Sequence, residues 1–172
     1  MLSIKVRPIF ALAVLCFAFG AAAILAAEGT LQERVKGLVA EAKQVVAAIS
    51  VEELDSLMNA GSGVIVVDVR AENEYDHGHI KGAILIPRGV LEFKALALLP
   101  DTMAVLAVYC RIDGRAAMAA KTLTDLGYKN VRYLEGGFKK WVESGCSIYN
   151  NHGELIVKAF EKKEIEPADS TK

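Results

Sequence analysis

The first feature of the hydrophobic pattern is Ile9 to Ala27, a run without a charged residue. From Leu31 the pattern changes. Leu31, Val35, Leu38, Val39, Ala42, Val45, Val46 and Ile49 recur at helical spacing, which predicts an amphipathic helix over residues 28–49, with Thr30 placed to cap it. Ser50-Val51-Glu52-Glu53 has the pattern of a capping box, so a second helix starts near Val51 and runs to about Ala60, where Gly61-Ser62-Gly63 breaks it. Val64 to Val69 is a β-branched run of the kind buried on both faces of a parallel sheet. Short strands follow at Ile84–Ile86, Ala104–Tyr109 and Asn130–Leu134, separated by helical patterns at Arg88–Leu98 and Ala116–Leu126. A last helix is predicted from Phe138 to Ser144, after Gly136-Gly137. Residues 149–172 read as a charged C-terminal tail. Strands alternating with helices predict an α/β domain over residues 50–148, with a small parallel sheet covered on both faces and an extra helix in front.

Composition changes this picture at the N-terminus. The 172 residues are 53% hydrophobic, and much of that lies in the uncharged run. Lys5 and Arg7 precede it and small residues close it, so residues 1–27 read as a secretory signal peptide cleaved after Ala23 or Ala27. The expected location is extracytoplasmic, the periplasm. The alternative is an uncleaved anchor holding the domain on the periplasmic side of the inner membrane, since the run approaches the ~20 residues that span a bilayer. Cys16 lies within this run behind Leu15, where a lipid-attachment cysteine would need a small residue. Loss of Lys5 and Arg7 leaves 18 basic residues against 21 acidic, a net charge of −3, which argues against nucleic acid and against an anionic membrane surface as partners. Two cysteines remain, Cys110 and Cys146, too few for a disulfide framework. With no CxxC, and with His77, His79 and His152 away from the cysteines, no metal site is expected.

The candidate chemistry is at Cys110-Arg111-Ile112-Asp113-Gly114-Arg115, between the third strand and its helix. A cysteine at the carboxyl end of a strand, in a tight loop feeding a helix N-terminus, sits where open α/β sheets place their ligands. Loop N–H groups and the helix dipole favour an anion there, and arginines beside it stabilise a thiolate. The plainer reading is a buried strand-end cysteine flanked by solvent-facing arginines.

Two stretches together resemble a family. Asp68-Val69-Arg70, Glu74-Tyr75, Gly78-His79-Ile80-Lys81-Gly82-Ala83 and Ile86-Pro87 look like the first signature of single-domain rhodanese-like proteins. Tyr109-Cys110, Arg115, Ala119-Ala120, Leu123, Gly127-Tyr128, Val131, Leu134-Glu135-Gly136-Gly137 and Trp141 look like the second. The resemblance implies a three-layer rhodanese-like fold and a sulfurtransferase without cofactor. In it Cys110 takes sulfane sulfur from thiosulfate or polysulfide as a persulfide and hands it to a thiol or protein acceptor. By the same resemblance, Arg111, Ile112, Asp113, Gly114 and Arg115 would line the substrate site. Two other classes remain open: a polysulfide-sulfur carrier with little turnover, and a redox or scaffold module. Phosphatases of the cell-cycle type share the fold but need a Cys-x5-Arg loop, and here Arg115 is the fifth residue after Cys110, a Cys-x4-Arg spacing.

The loop departs from the family pattern at two places. Asp113 stands where many relatives have glycine, and Ala116 where many have serine. Both work against a dianionic donor such as thiosulfate; neither removes the nucleophile. Asp68 and Arg70 are expected to pair and pin the loop after the first strand, His79 to stabilise a turn, and Phe138, Trp141 and Cys146 to pack.

Overall fold

The computed structural model describes residues 29–150 and 152–155. The chain divides into two units, residues up to Leu38 and residues from Val39 onward. Helix α1 spans Leu31–Val45, and at its start Thr30 and Glu33 bond reciprocally, the Thr30 N–H to the Glu33 carboxylate and the Glu33 N–H to the Thr30 hydroxyl. The signal peptide expected over residues 1–27 lies outside the described residues.

The second unit is built on a parallel sheet of five strands: β1 (Ala47–Ile49), β2 (Ile65–Asp68), β3 (Ile84–Leu85), β4 (Val105–Tyr109) and β5 (Asn130–Leu134). Their order is β1-β5-β4-β2-β3. The connecting helices are α2 (Val51–Asn59), α3 (Glu72–His77), α4 (Leu91–Leu98, entered through a 3-10 turn at Arg88–Val90), α5 (Gly114–Asp125) and α6 (Gly137–Glu143). Ser50 caps α2, its hydroxyl accepting the Glu53 N–H at 3.1 Å as the capping pattern predicts.

Side-chain alternation along the strands separates two cores. On one face Val67, Val69, Leu106, Val108, Cys110, Val131 and Tyr133 pack with Ala42 of α1, Val46 just after it, Leu91 and Ala95 of α4, and the alanine face of α5. On the other, Val66, Ala107, Tyr109 and Leu134 pack with Val51 and Leu54 of α2 and Trp141 of α6. This is the expected α/β/α arrangement, and the strands read as continuous apolar runs because both faces are covered.

Three elements differ from expectation. The helix predicted over residues 28–49 stops at Val45, and Ala47–Ile49 form the edge strand β1 on β5. Two alanines and an isoleucine also fit the helical period, and only an adjacent strand edge decides between the two. The acidic stretch Glu72–His77, to which the sequence pattern assigns no element, is helix α3. The tail expected from residue 149 begins as a hairpin, β6 (Ile148–Asn150) against β7 (Gly153–Leu155), and Tyr149 exchanges backbone hydrogen bonds of 2.8 Å with His79.

Candidate active site

Cys110 follows β4 at the carboxyl edge of the sheet and is 2% exposed. The period-two alternation explains its burial: it continues the Leu106–Val108 row facing α5. Arg111 and Ile112 are exposed at the rim, Asp113, Gly114 and Arg115 are half-buried, and Ala116 and Ala117 are buried under the loop. Residues 110–115 form one continuous stretch, the loop and first turn of α5.

Arg115 is held in place. Its guanidinium donates to both carboxylate oxygens of Glu74, at 3.1 and 3.3 Å. That hydrogen bond raises its pKa against the opposing effect of burial, and the charge of a Cys110 thiolate adds a smaller effect in the same direction. Burial alone would raise the Glu74 carboxyl, but Arg115 and the Ala71 N–H bring it below the usual carboxylate value. Glu74 is thus a site residue that sequence spacing did not expose as one, since it lies on α3, 41 positions away.

The opposite wall of the loop is the start of α6. The Phe138 and Lys139 N–H groups donate to the carbonyls of Cys110 and Arg111 at 2.8 and 2.9 Å. This approach requires Gly137, whose φ is +58° and where a Cβ would lie 2.1 Å from the Ile112 carbonyl oxygen and 2.6 Å from that of Cys110. The Gly136-Gly137 pair noted in the sequence is therefore part of the site, as the place where two backbones touch.

Asp68 and Arg70 pair as expected, and they support the same region. Arg70 Nη2 lies 2.6 Å from Asp68 Oδ2 and donates to the Gly78 carbonyl at 2.7 Å. The guanidinium stacks 4.1 Å from the Phe138 ring centroid and 5.4 Å from that of Tyr109. His79 is a turn histidine: its ring lies flat on Tyr75, 3.8 Å between centroids, with Nδ1 3.1 Å from the Tyr75 carbonyl oxygen. Trp141 is buried and donates to the Ser147 carbonyl. Cys146 packs in the core of the opposite face from Cys110, where burial, then Asp55 and Glu52, push its thiol pKa up.

A cleft of about 910 Å³ opens elsewhere, at the amino ends of β2 and β3, among Asn59, Ser62, Val64, Lys81, Trp141 and Tyr149. None of residues 110–115 lines it. The thiol and its arginine lie at the carboxyl edge, so this cleft is not where the loop chemistry would occur.

Residues 50–144 match the rhodanese-like domain family. The chain belongs to that family. The family match starts at the N-cap of α2, so α1 and β1 precede the matched residues. The protein YqhL of Bacillus subtilis is 40% identical over 76 residues, 44% of this chain and 59% of that protein. The thiosulfate sulfurtransferase PspE of Escherichia coli is 32% identical over 73 residues, 42% of this chain and 69% of PspE. Among solved structures, a protein of unknown function from Rhodopseudomonas palustris, described as a possible tyrosine phosphatase, superposes with a TM-score of 0.63 at 29% identity, covering 69% of this chain and 96% of that one. The chain spans 59% of the length of YqhL and smaller shares of several longer relatives.

Proposed function

We propose that this rhodanese-like domain is a sulfurtransferase with Cys110 as persulfide carrier. The observation that carries the reading is the Cys110 thiol at the carboxyl edge of the sheet, in the same short loop as a guanidinium fixed by Glu74 and just ahead of the N-terminus of α5. In the first step the Cys110 thiolate attacks the outer sulfur of thiosulfate. A sulfur–sulfur bond forms, the bond to the sulfonate sulfur breaks, and sulfite leaves with the electron pair. In the second, a thiolate or cyanide attacks the outer sulfur of the persulfide and the Cys110 thiolate departs. The loop N–H groups, the dipole of α5 and Arg115 stabilise the anionic sulfur in both steps. Exposed Arg111 and Ile112 form the rim that a thiol or protein acceptor would meet.

Exposure to thiosulfate or polysulfide is expected to add the mass of one sulfur atom to the Cys110 peptide, and cyanide to remove it with release of thiocyanate. Repeated turnover supports the enzyme; loading and discharge at the rate of a single slow cycle would make the protein a sulfur carrier instead. An unmodified Cys110 after both donors would end the proposal. Phosphate release from an aryl phosphate without sulfur loading would assign the chain the phosphatase chemistry of the related fold.

We also propose that the domain is exported. A basic start, an uncharged apolar run and alanines before Glu28 support this reading. Protein recovered from the extracytoplasmic fraction is expected to begin at Ile24 or Glu28. An intact Met1 on membrane-bound protein would replace cleavage with anchoring, and an intact Met1 on cytosolic protein would end the export proposal.

A further inference from the structure

Asp113 occupies the N-cap position of α5, yet its carboxylate makes no capping hydrogen bond. It points instead to Lys43 Nζ, 2.8 Å from Oδ2 and 70 positions away in sequence. Lys43 belongs to α1, which precedes the rhodanese-like domain. Three further observations place this end of α1 against the Cys110 loop and the neighbouring strand β5. Ala42 and Val46 are buried in the same cluster as Cys110, Ala116 and Ala117. A Val39 methyl lies 3.4 Å from where a Gly114 side chain would begin. The Lys43 ammonium sits 5.7 Å from the Tyr133 ring centroid.

We propose that Lys43 is a positioning residue of the Cys110 site: it cancels the charge of Asp113 and holds the loop, so that the site admits an anionic sulfur donor. The inference builds on the sulfurtransferase reading. It also answers the departure noted in the sequence. An aspartate in a loop that receives a dianion is repulsive when unpaired, and α1 supplies the missing positive charge. The Asp113 hydrogen bond is the main influence raising the Lys43 pKa, against burial, with Tyr133 and Glu135 adding smaller contributions, so the ammonium stays charged. The local charge balance is then Lys43 with Asp113 and Arg115 with Glu74, leaving Arg111, which forms no ion pair among the described residues, to attract the donor.

The test compares two alkylating agents of similar size, anionic iodoacetate and neutral iodoacetamide, with Cys110 labelling followed at the peptide level so that Cys146 does not interfere. Lys43→Met is expected to slow iodoacetate about three- to tenfold at low salt while changing iodoacetamide much less, an effect that fades as salt rises. Lys43→Arg should restore the ratio, and so should Asp113→Asn in the Lys43→Met background. With thiosulfate and cyanide, Lys43→Met should raise KM by a similar factor and leave kcat nearly unchanged. Equal slowing of both reagents, or no rescue by Asp113→Asn, would overturn the role proposed for Lys43. Should Lys43→Met fail to fold, Asp113→Asn alone decides, because an intact pair predicts that freeing Lys43 speeds iodoacetate selectively. An unmodified Cys110 in the unaltered protein after both thiosulfate and polysulfide would end the sulfurtransferase reading and still leave the alkylation ratios to decide on Lys43.

Discussion

Cys110→Ser is expected to fold and to lose sulfur transfer, by at least about 10⁴-fold, the scale on which deletion of a covalent nucleophile is felt. A serine hydroxyl stays protonated at neutral pH and forms no stable bond to sulfane sulfur, so neither step can begin. The fold should tolerate the exchange. The side chain shrinks slightly and keeps the shape of the cysteine it replaces, so the packing around position 110 is little disturbed. Melting within a few degrees of the parent and complete loss of thiocyanate formation would be the signature. Cys146→Ser is the control. Cys146 packs on the opposite face of the sheet, beside Asp55 and Glu52, and its raised pKa keeps it a thiol. It should keep most of the activity. Turnover surviving in Cys110→Ser would remove Cys110 from the mechanism, and its loss in a folded Cys146→Ser would make Cys146 a resolving thiol.

Arg70→Met is expected to cost about 3–5 kcal/mol of stability, the largest loss from a single side chain outside the apolar core. The substitution leaves Asp68, which is fully buried, with the position-70 backbone N–H but no counter-charge, and strips the Gly78 carbonyl of its donor. A buried carboxylate with no counter-charge must either remain ionised at high cost or take up a proton. The effect reaches the site, because Arg70 stacks beneath Phe138, whose N–H holds the Cys110 carbonyl. Arg70→Lys should recover only part of the loss, since an ammonium cannot bridge both Asp68 oxygens and the Gly78 carbonyl while stacking on a ring. Chemical denaturation of Arg70→Met, Arg70→Lys and the double variant Asp68→Leu with Arg70→Met measures this. The double variant should be more stable than Arg70→Met alone, because it removes the orphaned charge. A stability loss below about 1 kcal/mol in Arg70→Met would show that water replaces the guanidinium, contrary to the burial seen here.

What was legible in the sequence is what local pattern determines. Val64 to Val69 read as a doubly buried strand because β-branched side chains faced apolar neighbours on both sides, and β2 lies there. Cys110 was placed at a strand end because an apolar run stops and an alanine-rich helix starts within a few residues. Asp68 and Arg70, two positions apart, could be paired from spacing and the cost of burying charge. The elements that were missed depend on neighbours distant in sequence. Ala47–Ile49 is a strand only because β5 offers its edge, and Ile148–Asn150 only because Gly153–Leu155 turns back on it. The electrostatics of the site were hidden for the same reason. Asp113 read alone is a charge that opposes the arginines, and Arg115 read alone is a free guanidinium. Lys43 and Glu74, brought in from 70 and 41 positions away, neutralise the first and fix the second. Sequence spacing determined which side chains form the loop, since those follow one another along the chain. Only tertiary packing decided their charge balance, because Coulomb energies depend on distances that no local periodicity encodes.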